Sequence, residues 1–161
     1  MPFPRAKSPA QLYDEVADYD LVLTPDGPLA SALNRQLDRP HLGDFATPPR
    51  RLAAGRREQA EDRLAFLELI DESISWKRAA YAIGNILQCW EHQGTPDAIR
   101  AYDAYVDDAT DRAVDRITRL DTTSMELTNN RISGDQEVAV IAPEMLTHLE
   151  HSFLPEDYDT V

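Results

Sequence analysis

The chain has 161 residues, enough for one domain or one domain with an insertion, and 42% of them are apolar, enough to bury a core. Sixteen basic against twenty-nine acidic side chains give a formal charge of −13, a self-repulsion that loosens a compact state in dilute buffer and fades at molar salt. No run of about 18 apolar residues is present to cross a membrane, and a single cysteine, Cys89, excludes an intrachain disulfide.

The first predicted element is a short helix opened by Ser8-Pro9-Ala10-Gln11, with serine as cap, proline in the first turn and Gln11 reaching back. It carries Leu12, Val16 and Tyr19. Asp20-Leu21-Val22-Leu23-Thr24 reads as a buried strand. Pro25-Asp26-Gly27-Pro28 makes a turn, and a helix follows through Leu29, Ala30, Leu33 and Leu37. Residues 39–50 hold Pro40, Gly43, Pro48 and Pro49 and are expected to be non-helical. Within them Gly43-Asp44-Phe45-Ala46-Thr47 suits a short edge strand.

From about Arg56 to Leu120 the pattern is almost wholly helical. Ala60, Leu64, Leu67 and Ile70 line a first helix. Trp76, Ala79, Ala80, Ile83, Ile86, Leu87 and Trp90 line a second, ended by Gly94. Thr95-Pro96 opens a third, with Ile99, Tyr102, Val106, Ala109, Ala113, Ile117 and Leu120 facing inward. Both tryptophans lie on a core stripe. Glu137-Val138-Ala139-Val140-Ile141-Ala142 is the best strand in the chain. Pro143-Glu144 then opens a short helix with Met145, Leu146 and Leu149, and Asp157–Val161 begins another strand. The order predicts an α/β fold: a small parallel sheet in a single domain over 1–161, with a large helical block at 56–120 between strands. A chain stopping at a strand suggests the front of something longer, with missing C-terminal domains, or a strand that pairs with a protein partner.

Lys7 and Lys77 are the only lysines beside fourteen arginines, and aspartate outnumbers glutamate eighteen to eleven. Few lysines and many short carboxylates are the habit of proteins from salt-loving archaea. Met1-Pro2-Phe3-Pro4 lacks the apolar stretch of a signal peptide. The expected setting is a high-salt cytoplasm.

Candidate chemistry is sparse. Asp103, Asp107, Asp111 and Asp115 recur every four residues, and Asp107-Asp108-Ala109-Thr110-Asp111 matches the D-D-x-x-D pattern that holds magnesium through diphosphate. The favoured alternative is a solvated helix face. Glu144, His148 and His151 fall at i, i+4 and i+7, yet H-E-x-x-H is absent, and structural histidines fit better. Cys89 reads as a buried, inert thiol. Thr24-Pro25-Asp26-Gly27-Pro28-Leu29-Ala30-Ser31 stands where a phosphate loop would stand. It lacks the lysine and second glycine, and Asp26 brings the wrong sign. No catalytic residue, cofactor or metal is implied, and the chain is expected not to be catalytic on its own.

Charge asymmetry is the most informative feature. Residues 35–57 hold six arginines, Arg35, Arg39, Arg50, Arg51, Arg56 and Arg57, against Asp38 and Asp44. That is a local +4, leaving −17 for the rest. Clustered arginines are one way for an acidic protein to keep a nucleic-acid-binding patch. They can equally satisfy nearby carboxylates such as Glu58 and Glu61.

The segments Leu21–Ala30 and Leu33–Leu37 resemble the opening of superfamily I DNA helicases of the UvrD/RecB type. They are closer to AddB-type nuclease-helicase subunits, whose nucleotide loop is often degenerate. Gly43–Ala53 is similar to their second strand and loop, and Glu137–Pro143 and Leu154–Val161 to later strands. The resemblance covers about a third of the chain. It implies a P-loop-NTPase-like, non-hydrolysing domain in DNA repair or recombination, from a haloarchaeal source, binding nucleic acid or a DNA-processing partner. The alternative is a protein-protein interaction module without a nucleic-acid role.

Overall fold

A computed structural model describes residues 6–55, 61–70 and 74–161. The fold is α/β, about 55% helical, with a four-stranded, all-parallel sheet. The chain forms two compact units. The first comprises 1–52, 132–146 and 154–161, and the second 53–131 and 147–153.

The first unit holds the sheet. Its strands are β1 (Leu21–Leu23), β2 (Ala46–Thr47), β3 (Val138–Val140) and β4 (Asp159–Thr160), in spatial order β2-β1-β3-β4. The central strands are wholly buried, as continuous apolar runs in parallel sheets are. Two helices accompany them, α1 (Pro9–Val16) and α2 (Gly27–Gln36). Ser8 and Gln11 close a capping box on α1. Tyr13, Val16, Ala30, Leu33 and Phe45 pack with Val22, Ala46, Ala139 and Ile141 into one core. The Tyr13 and Phe45 rings meet edge to face at 5.9 Å, and the Tyr13 hydroxyl donates to Asp38 Oδ1 at 2.8 Å.

Helix α3 (Pro49–Ala54) corrects the expectation that 39–50 are non-helical throughout. Proline breaks a helix interior, but in the first turn its missing N–H is no loss.

The second unit is helical: α4 (Glu61–Leu69), α5 (Trp76–Gln93), a 3-10 helix (Pro96–Ala101), α6 (Asp108–Ile117), α7 (Thr123–Asn129) and α8 (His148–Phe153). Helix α5 is its axis, in contact with α4, the 3-10 helix, α6 and α8. Its inner stripe is Ala79, Ala82, Ile83, Ile86 and Trp90. Gly94 ends it in the left-handed conformation, φ 82°.

Three sequence expectations are corrected in this unit. The stripe on α4 is not Leu64 and Leu67, which are 46% and 61% exposed; Ala65 and Leu69, one turn apart, are buried instead. Ala60 lies outside the described residues. Trp76 is 60% exposed, so only Trp90 is core. The third helix is interrupted at 102–107, where Asp107 caps α6 and the chain ahead of it is free of helix.

Candidate functional site

The sheet supplies one candidate position. Chain connections leave β1 toward β2 on one side and β3 lies on the other, so the crevice beyond the carboxyl ends of β1 and β3 is a topological switch point. Thr24 follows β1 and is fully buried; its hydroxyl donates to the Asp26 carbonyl at 2.8 Å. Asp26 caps α2, its Oδ1 accepting the Leu29 N–H at 2.8 Å. Pro28 has no N–H to offer. The loop's carboxylate therefore occupies the place where a phosphate loop would present backbone donors.

Across the crevice, Ala142 follows β3 with φ 48° and ψ 59°. It is the one non-glycine residue with positive φ among the described residues, and the conformation costs an L-residue about 1–2 kcal/mol. Its N–H donates to the Val161 carbonyl at 3.2 Å, and its carbonyl accepts from Met145 N–H at 2.9 Å. We expect Ala142→Gly to stabilise the chain by about 0.5–1 kcal/mol, read by denaturant titration. No gain would mean the backbone bonds, not the side chain, set this geometry.

Among the described residues, the arginines of this segment take separate places. Arg51 lies against the first residue of α2, its Nη2 3.4 Å from where a β-carbon on Gly27 would stand. Arg35 is exposed in the last turn of the same helix. Arg39 donates to the Tyr19 carbonyl at 2.6 Å and lies over the Phe45 ring, 5.5 Å from its centre. Arg50 is half-buried in α3. Arg56 and Arg57 lie outside the described residues.

The aspartate repeat is likewise redistributed. Asp103 precedes α6, and Asp107 is the α6 cap, accepting the Thr110 N–H at 2.8 Å and bonded to Arg78 at 2.7 Å. Asp111 and Asp115 join Asp97 around the Arg100 guanidinium. The four are thus not on one helix, and the carboxylates of Asp107, Asp111 and Asp115 face arginines. Glu144 and His148 also fall on separate elements, the 3-10 turn Pro143–Met145 and α8, with both His148 and His151 exposed. Among the described residues no group of three or more metal-ligating side chains is placed to hold an ion.

The Thr110 N–H, with Arg78 beside it, holds the Asp107 carboxyl below the ordinary aspartate range. A lowered folded-state pKa stabilises the fold above the unfolded value and loses that contribution as pH falls through the folded one. Asp107→Ala should therefore cost about 1 kcal/mol near neutral pH. Its deficit should close as the parent is acidified below the ordinary aspartate range, read by denaturation at stepped pH. A deficit independent of pH would assign the loss to something other than the charged cap.

The second unit carries an exposed apolar feature. Arg63, Phe66, Leu67, Trp76, Ala80 and Gly84 border an apolar groove of about 420 Å³ between α4 and α5. The Phe66 and Trp76 rings stack obliquely, 4.6 Å apart. Leu67, Trp76 and Tyr81 are each about 60% exposed. Farther along α5, Cys89 and His92 share a cavity of about 300 Å³ with Gln88, Tyr102 and Tyr105. Cys89 is thus half-exposed, not the buried thiol expected from an apolar helix context. In the first unit an acidic cleft of about 630 Å³ holds Glu15, Asp18, Glu137 and Asp157 with Tyr158. There the Tyr19 hydroxyl donates to Asp159 at 2.7 Å, a bond that raises the phenol's pKa.

Among the described residues no helix is long and apolar enough to cross a membrane. No protein-family model matches the chain, and no curated protein or solved structure does.

Proposed function

We propose that this chain is a non-catalytic interaction module whose α4–α5 surface docks a helical partner. One observation carries the reading: in a chain of −13 and 28% charged residues, Leu67 and Trp76 stand exposed in an apolar groove, and Leu64 and Tyr81 are exposed on the same two helices. Exposed apolar patches of this kind mark interaction sites, and aromatic anchors dominate them. The test places a photo-crosslinking residue at position 81 and, as control, at position 35. Protein adducts at 81 and not at 35 are expected; a bare position 81 overturns the reading. The composition fits a high-salt cytoplasm, so this crosslinking belongs in molar potassium chloride.

A second reading, a non-hydrolysing helicase-like domain that binds nucleic acid, is favoured by the parallel β2-β1-β3-β4 order and by Arg51 beside the first residue of α2. Titration of single-stranded and duplex DNA at two salt concentrations tests it, since phosphate contacts weaken with salt. Absence of binding at the lower salt, or no loss with Arg50→Ala and Arg51→Ala, removes this reading.

A further inference from the structure

The docking surface proposed above has an occupant that its own residues describe. Helix α5 carries no charge from Ala79 to Trp90, twelve residues in a chain where more than one in four is charged. Its outward face is Lys77, Ala80, Tyr81, Gly84 and Gln88, all exposed. These positions follow heptad spacing, the pattern of a helix-helix seam. At its centre stands Gly84. A glycine inside a helix costs about 1 kcal/mol relative to alanine, and among the described residues nothing lies within 4 Å of a β-carbon built there. The packing of the described residues therefore gives no reason for it. Close approach of another backbone does.

The charges at the two ends say which backbone. Lys77 lies seven residues before Gly84 and Glu91 seven after, so the three share one face of the helix. A two-fold axis at Gly84, with two copies of α5 crossing antiparallel, sets Lys77 of each copy against Glu91 of the other. A parallel crossing would oppose like charges. Glu91 is already engaged, accepting the Thr147 hydroxyl at 2.5 Å among its contacts, and a carboxylate offers about four lone-pair sites, so a further donor adds to these partners. An unrelated partner would need none of this symmetry. We propose that α5 is the interface between two copies of this chain, crossed antiparallel at Gly84. The inference rests on the interaction-module reading and names its partner.

Sedimentation equilibrium on the full chain tests it, in roughly 0.2 M potassium chloride so that contacting charges still interact, with far-ultraviolet circular dichroism confirming each variant's fold. The parent should have twice the chain mass. Gly84→Leu, which the open space tolerates in a single chain, should weaken association at least about tenfold. Lys77→Glu and Glu91→Lys should each weaken it about threefold to tenfold, and the double variant Lys77→Glu/Glu91→Lys should restore it. A folded parent that stays monomeric at about 100 µM, well above ordinary micromolar affinities, overturns the proposal. So does a dimer indifferent to Gly84→Leu, or one that the double charge swap fails to restore. A monomer that still gives heterologous adducts at position 81 removes the second copy and leaves the docking surface standing; a monomer without adducts removes both.

Discussion

Trp90→Ala should cost the helical unit about 3–5 kcal/mol, the largest effect expected of any single substitution in the chain. The side chain is fully buried where α5 meets the rest of its unit. Its indole N–H donates to Thr128 Oγ1 at 2.9 Å, and that hydroxyl donates in turn to the Ser124 carbonyl at 2.7 Å. Alanine removes the ring, leaves a cavity between packed helices and deprives Thr128 of its donor. Domains are stable by only about 5–15 kcal/mol in total, so the variant should sit near its unfolding midpoint under mild denaturant. Trp90→Phe keeps most of the volume and loses the hydrogen bond, at about 1–2 kcal/mol. Trp76→Ala is the contrast. That ring is mostly in water, and its loss should leave stability within about 0.5 kcal/mol. Urea titrations of the three variants, followed by circular dichroism, give the ranking. A Trp90→Ala loss no larger than that of Trp76→Ala would contradict the assignment of Trp90 to the core.

The two tryptophans show how far a periodic pattern reaches. Spacing identifies the inner face of α5 at Ala79, Ile83, Ile86 and Trp90, because a helix buries one stripe. Spacing says nothing about where along the stripe a neighbour covers it, so Trp76 is indistinguishable from Trp90 in sequence. On α4 the error is one of residue size. Leucine outranks alanine in hydrophobicity, yet Ala65 and Leu69 are covered and Leu64 and Leu67 are not. Between 96 and 107 the apolar period runs on through Ile99, Tyr102 and Val106, but Thr95 opens a 3-10 helix that closes at Ala101, and Asp107 opens a new helix, each by bonding the backbone locally. Helix α7 has no apolar stripe to detect. It is held by its Thr122 cap and by burying Thr123, Ser124 and Leu127. The strands were legible because a short apolar run between turn residues has few alternatives. The arginine segment is legible in sequence as a run of charge, but the place of each guanidinium in the fold is not. Arg35 and the Arg51 contact at Gly27 sit eight residues apart on α2, about 12 Å along its axis.

Asn34 shows what a single polar residue in such a pattern can hold. Along β2 the carbonyls of Phe45, just before it, and Thr47 accept from Val22 of β1 and from Thr24, just after it, at 2.9 and 3.1 Å. The intervening Ala46 turns its N–H and C=O the other way, toward the open edge of the sheet, and it is fully buried. The Asn34 amide meets both groups, accepting the N–H at 2.8 Å and donating to the carbonyl at 2.8 Å. It completes the ladder as another strand would and blunts an edge that would otherwise invite pairing. Leucine at this position fits a helix equally well and leaves two buried backbone groups without partners. At about 1–3 kcal/mol for a buried group left unsatisfied, Asn34→Leu should cost about 2–4 kcal/mol. Asn34→Asp separates shape from bonding. It still accepts the N–H but presents lone pairs to the carbonyl, so it should be nearly as damaging despite its similar volume. Urea denaturation gives the cost, and hydrogen exchange at the Ala46 amide gives the site: protection there should fall in Asn34→Leu, while the Val22 amide on β1 loses protection only with global unfolding. Unchanged Ala46 exchange in a destabilised Asn34→Leu would assign the loss to packing and refute the edge-capping role.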